Sequence, residues 1–204
     1  IATALAGTLT VATHAVTQSG TWTVQPGNTA NTTAWKVDGS SVAQPVTDNS
    51  GSLTVDTADT VIDVTPTMDT SAYAAGDIFF DTTAISGAAT ANGGTVTLNT
   101  ITVLDEDDQG PTFQMVFLDT NNSMGTINTA PNISDANARK IVGTLSSALG
   151  TWVDLGGCRV MTITNIGLVM KCDSASTSLY FGSITSTATT QTAGGLKFKL
   201  GFLR

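Results

Sequence analysis

A chain of 204 residues can bury one core of ordinary size, with room for an arm beside it. Charged residues make up only 12% and apolar ones 41%, which excludes the charge-rich, apolar-poor composition of a disordered chain. The net charge of −8 arises from 16 acids and 8 scattered bases, so no cationic stripe exists to grip a phosphate backbone, and nucleic acid is not an expected partner.

Threonine is abundant and Glu106 is the single glutamate, a composition that favours strands over helices. No apolar run approaches the roughly 20 residues that span a bilayer, so no membrane partner is expected either. The opening IATALAGTLTVATHA lacks a cationic leading segment and is dense in threonine, so a signal peptide fits it poorly.

In chain order, residues 1–60 carry short β-like runs (Thr21–Gln25, Ala34–Val37, Ser52–Asp56) between Pro-Gly-Asn, Asp-Gly-Ser and Asn-Ser-Gly turns. They hold little aliphatic bulk, and ordering each residue costs roughly 1–2 kcal/mol of backbone entropy. The expectation is an extended, β-rich N-terminal arm that orders against another surface.

Residues 61–204 read as the folded domain. VIDVTP alternates, and DTSAYAAGDIFFDTTAI is a turn followed by a strand on which Ile78 and Phe80 share a face. From Gly93 to Asp119 two strands flank the acidic turn Asp105–Gly110, expected as an exposed hairpin. Val96 and Leu98 have one parity and Ile101 and Val103 the other, so a bulge is expected near Asn99–Thr100. Phe113, Met115 and Phe117 alternate with Val116 and Leu118, the pattern of a central strand covered on both sides.

SDANARKIVGTL reads as a short helix capped by Ser134 or Asp135, favoured at its end by Arg139 and Lys140 and stopped by Gly143. Further strands are expected at Thr151–Leu155, Arg159–Asn165, Leu168–Cys172 and Ser178–Gly182. Last comes GLKFKLGFLR, with Leu196, Phe198, Leu200 and Phe202 on one face and Lys197 and Lys199 on the other. Roughly eight strands, with turn signals at short intervals, point to a two-sheet all-β sandwich. The long loop around Asn121–Asn137 favours a jelly-roll-like antiparallel topology.

Little in the chain carries chemistry. His14, the only histidine, lies in the Thr/Ala-rich opening, a poor place for a base that a triad must hold rigidly. One histidine and two cysteines, Cys158 and Cys172, do not supply the close-spaced ligands of a zinc site. The cysteines fall in what read as neighbouring strands, where either a disulfide or two buried thiols can be accommodated, the thiols being the simpler reading. Asp105, Asp107, Gln109 and Gly110 match the start of a calcium loop, but Val116 stands where its bidentate glutamate belongs, leaving at most a looser site from Asp105, Asp107 and Asp108. A glycosidase would need paired acids and stacking platforms, and Trp22, Trp35 and Trp152 are the only tryptophans. No catalytic residue, cofactor or metal is expected.

The segment VTQSGTWTVQPGNTANTTAWKVDG resembles a motif of structural proteins in tailed bacteriophages. The stretches DTSAYAAGDIFF, NGGTVTLNTITVLDEDDQGPTFQMVFLD and SDANARKIVGTL are similar to the globular half of phage virion proteins that decorate heads or form head fibres. The resemblance implies a non-enzymatic, symmetric accessory protein, expected as a homotrimer, assembled in the host cytoplasm and fixed to the major capsid protein on the capsid exterior. Trp22 and Trp35 are the arm anchors under this reading, because large aromatics tend to dominate interface energies. The alternative is a tail-fibre or receptor-binding module that contacts host surface glycans.

Overall fold

The computed structural model describes residues 59–204. The expected arm of residues 1–60, with Trp22, Trp35 and His14, falls almost wholly outside them. Two antiparallel sheets pack face to face as a β-sandwich. Ten strands build it: β1 (Thr60–Val64), β2 (Ile78–Ile85), β3 (Thr95–Asp105), β4 (Phe113–Leu118), β5 (Ile141–Ser146), β6 (Trp152–Asp154), β7 (Arg159–Ile163), β8 (Leu168–Lys171), β9 (Leu179–Thr185) and β10 (Leu196–Leu203). One sheet runs β1-β10-β3-β7-β6, with β8 also paired to β3; the other runs β2-β9-β4-β5. Among the described residues no helix is long and apolar enough to cross a membrane.

The core lies between the sheets, where inward positions alternate along each strand. β10 behaves as its alternation predicts: Leu196, Phe198, Leu200 and Phe202 are buried. Phe198 reaches from this sheet into the rings of the other, 5.5 Å from Phe80, 6.0 Å from Phe113 and 5.2 Å from Phe181 between centroids. Phe181 in turn stacks on Phe117 at 5.9 Å. The parity switch in β3 is also present. Gly201 pairs with Thr100 and Phe202 with Leu98, so Asn99 is the extra residue, and the strand buries Val96 and Leu98 before it and Ile101 and Val103 after it.

That bulge coincides with a break on the other side of β3. β7 pairs with Ile101–Asp105 and β8 with Thr95–Leu98, so the two lie end to end as one interrupted strand. The Ile166 amide, within the break, donates to the Asn99 carbonyl at 3.1 Å. Cys158 and Cys172 therefore lie beyond opposite ends of β3, whose terminal residues Thr95 and Asp105 are themselves ten residues and roughly 33 Å apart at strand rise. They do not sit side by side, and a disulfide, which needs Cα atoms within about 7 Å, is excluded. Both are free thiols, and burial raises the pKa of Cys172.

β4 is central, between β9 and β5, and is covered on both faces. Phe113, Met115 and Phe117 face the main core. Val116 and Leu118 join Ile78 and Met124 in a second cluster on the outer side. Its cover is the 119–134 connection, a strap pinned to β2: the Asp81 carboxylate accepts the Met124 amide at 2.8 Å, Ile78 donates to the Thr129 carbonyl at 2.8 Å, and Asn128 donates back to Ile78 at 2.9 Å.

Three local expectations change. Ile78 and Phe80 do not share a face, because Ile78 pairs with Ile184 and Phe80 with Ser183; Phe79 is inserted between them, so Ile78 points outward while Phe79 and Phe80 both enter the main core. The helix is a single turn, α1 (Asp135–Ala138), where the Ser134 hydroxyl accepts the Asn137 amide. Ile141–Ser146 is strand β5, paired with β4. Gly143 lies inside it opposite Phe117 rather than stopping a helix, and a Cβ there would meet Leu168 Cδ2 at 2.9 Å. Finally, β3 and β4 belong to different sheets, so the acidic turn is a crossing between layers and not a hairpin.

Tyr73 closes one end of the core. It is 2% exposed, pairs with Thr189 as an isolated bridge, and packs edge-on against Phe79 at 5.1 Å. Its hydroxyl oxygen accepts the Asp69 amide at 2.6 Å, and burial pushes its pKa up to about 12. A phenol whose folded pKa lies above the unfolded value of about 10 stabilises the fold below pH 10, and that stability is lost as pH rises toward 12. Stability should therefore fall by about 2 kcal/mol across that window, and Tyr73→Phe should flatten the decline. Urea titrations of both proteins at intervals from pH 9 to 12 measure it.

Candidate functional site

The densest polar constellation is the acidic turn after β3. Asp105 continues the inward parity of Ile101 and Val103 and is fully buried. A buried carboxylate must have its lone pairs filled, and the turn folds back to do so. Asp105 accepts the amides of Asp107 (3.1 Å), Gln109 (2.8 Å) and Gly110 (2.6 Å). Asp108 (φ 56°) and Gly110 (φ 60°) take the left-handed conformations that aim these amides inward.

Partners distant in sequence complete the cluster. Asp107 accepts the Thr192 amide at 2.8 Å and the Thr192 hydroxyl at 2.9 Å. Gln191, 2% exposed, faces both carboxylates; oriented as the donor that two acceptors require, its amide nitrogen lies 2.7 Å from Asp107 Oδ2 and 3.2 Å from Asp105 Oδ1. The Glu106 amide donates to the Gly195 carbonyl at 2.9 Å, and Gly195 lies so near Asp107 that a Cβ would overlap the carboxylate. Asp108 pairs with Arg159 Nε at 2.9 Å, and Asp154 stands 3.6 Å from Nη2 of the same guanidinium. The Asp108 hydrogen bond comes first in raising the Arg159 pKa.

Asp105 and Asp107 share Gln191 as a donor while Asp108 turns away to Arg159, so the three carboxylates are taken up by the chain's own donors. Among the described residues no group of three or more His, Cys, Asp or Glu side chains is placed to hold a metal ion. The turn is only partly exposed, at Glu106 and Gln109, and it clasps the start of β10 and the start of β7 to β3. Gln191, Thr192 and Arg159 are absent from any sequence-based list because the nearest of them lies more than 40 residues from the turn. Trp152, considered as a sugar platform, is half-buried and donates Nε1–H to the Pro111 carbonyl at 3.2 Å. Trp22 and Trp35 lie outside the described residues.

The other distinctive surface is the outer face of the six-stranded sheet. By strand parity it carries Val61, Leu203 and Val169 at one end and Leu104, Val160 and Val153 at the other. Between them runs a polar row registered Asp63, Lys199, Thr102, Thr162. Lys199 pairs with Asp63 at 2.9 Å, Lys197 pairs with Glu106, and the Thr102 and Thr162 hydroxyls are 3.1 Å apart. Two depressions open on this face. One of about 360 Å³ lies beside Asp63, Lys197 and Lys199, and one of about 220 Å³ beside Val61, Thr100 and Gly201. No protein-family model matches the chain, and a search of curated proteins returned no significant sequence match.

Proposed function

We propose that the protein is a non-enzymatic structural component of a tailed-phage virion, bound to the exterior of the head as a decoration protein. The observation that carries this reading is the winding of the sandwich. β1 and β3 flank β10 in one sheet while β2 and β4 flank β9 in the other, so the chain alternates between sheets and its last two strands return between the first four. This order supports a jelly roll, an architecture used in viral shells, and it agrees with the segments that resemble head-decoration and head-fibre proteins. A saturated carboxylate clasp, with its oxygens taken by the chain's own donors, also suits a scaffold better than a catalyst.

In this reading the major capsid protein and further copies of the chain, as a homotrimer, are the partners. Residues 1–60 supply the contact with the shell, and Trp22 and Trp35 are its anchors. The test is cryo-imaging of purified particles, combined with mass spectrometry of their proteins. The chain is expected on the outside of the head, and occupancy should fall when Trp22 or Trp35 is replaced by alanine. Density at the tail tip instead would assign it to host-surface recognition, and absence from particles would remove both readings.

A further inference from the structure

Four of the six exposed large apolar side chains among the described residues, Val61, Val153, Val169 and Leu203, stand on strands of the six-stranded sheet, while Leu149 lies in the turn between β5 and β6 and Leu155 just past β6. The four-stranded sheet has its outer apolar residues under the 119–134 strap. Isolated apolar residues on a surface are ordinary, but a set gathered on one sheet face marks an interaction surface. Charge says what can meet there. The chain carries a net −8, which opposes association of copies through most of its surface. This face departs from that balance. It bears Lys171, Lys197 and Lys199 against Asp63 and Glu106, with two of the lysines already paired to the two acids.

We propose that a second copy of this chain packs on the outer face of the six-stranded sheet. Packing of one face on its like is a two-fold contact, distinct from the three-fold contact of the homotrimer in the reading above, so the inference does not rest on that reading. Sheets pack face to face through such alternating surfaces at about 10 Å. The two apolar bands flank a row holding both signs of charge, so a copy laid against its like sets apolar against apolar and can oppose a lysine to a carboxylate. The protruding Val61 and Leu203 border the depression at Gly201, and a knob and a hollow on one face provide for self-complementarity.

The experiment is light scattering and sedimentation of the full chain, wild type beside Val61→Glu with Val169→Glu. Thr144→Glu, at an exposed position on the other sheet, is the control. The wild type is expected at a multiple of 20.8 kDa, the double variant should associate at least tenfold more weakly, and the control should match the wild type. Should the glutamates prevent folding, Val61→Thr with Val169→Thr keeps shape and strand preference and is still expected to weaken association severalfold. A wild type that stays monomeric at all concentrations overturns the proposal. So does association that neither pair of substitutions weakens, or a monomer whose double variant loses only virion attachment, which would give the face to the shell. Detection of the chain in particles is independent of these outcomes and tests the virion reading separately.

Discussion

Truncating Phe198 to alanine should lower the unfolding free energy by about 4 kcal/mol, the upper part of the range for buried aromatics. Phe198 belongs to the six-stranded sheet, yet its ring contacts Phe80, Phe113 and Phe181, one from each of three strands of the other sheet. Its removal opens a void on the plane where the layers meet, and a close-packed interior cannot collapse fully around it. In a domain of this size that loss corresponds to a fall in melting temperature of roughly 8–16 °C. Phe198→Leu, which keeps most of the apolar volume, should lose less than half as much. Lys199→Ala, one residue away at an exposed ion pair, should change stability by less than about 1 kcal/mol. Urea and thermal denaturation of the three variants measure the series. A Phe198→Ala protein within 1 kcal/mol of wild type would mean that this ring does not join the layers.

A second large loss is expected from Asp105→Ala, about 3 kcal/mol, because the carboxylate is fully buried and its partners stay behind without it. The amides of Asp107, Gln109 and Gly110 would lose their acceptor, and the Gln191 side chain would keep only Asp107. Asp105→Asn keeps one carbonyl oxygen in place and should lose roughly half as much. Asp154→Ala, at an exposed carboxylate 3.6 Å from the same Arg159, should cost little. Denaturant titration gives the magnitudes, and hydrogen exchange at Gln109 and Gly110 gives the location. Protection at these amides should drop in Asp105→Ala beyond the global change. Unchanged protection would show that Asp105 does not hold the turn.

Much of the layer structure was legible because burial follows local alternation. The lysine and apolar alternation of β10, the two-sided apolarity of β4 and the parity switch at Asn99 each state which way a side chain points, and each agrees with the fold. Where three apolar residues stand together, as at Ile78, Phe79 and Phe80, alternation has no information. Only pairing with β9 places the inserted residue. Ser134 and Asp135 resemble a helix start and do form one turn. The continuation IVGTL becomes strand because β4 offers it a ladder, a contact more than twenty residues away that overrides weak local preference. The polar clasp was least legible, since Asp107 meets Thr192 across 85 residues.

The sequence alone therefore determined an all-β sandwich, which positions of β3, β4 and β10 face inward, and where β3 must bulge. These depend on the alternation of strand side chains and on the cost of exposing a run of apolar residues. Tertiary structure decided that the acidic turn crosses between sheets, that its carboxylates bind distant donors, that the cysteines lie at opposite ends of β3, and that among the described residues the outer face of the six-stranded sheet has no cover. Each depends on which strands become neighbours, and that is settled by packing of the whole core rather than by any short stretch of chain.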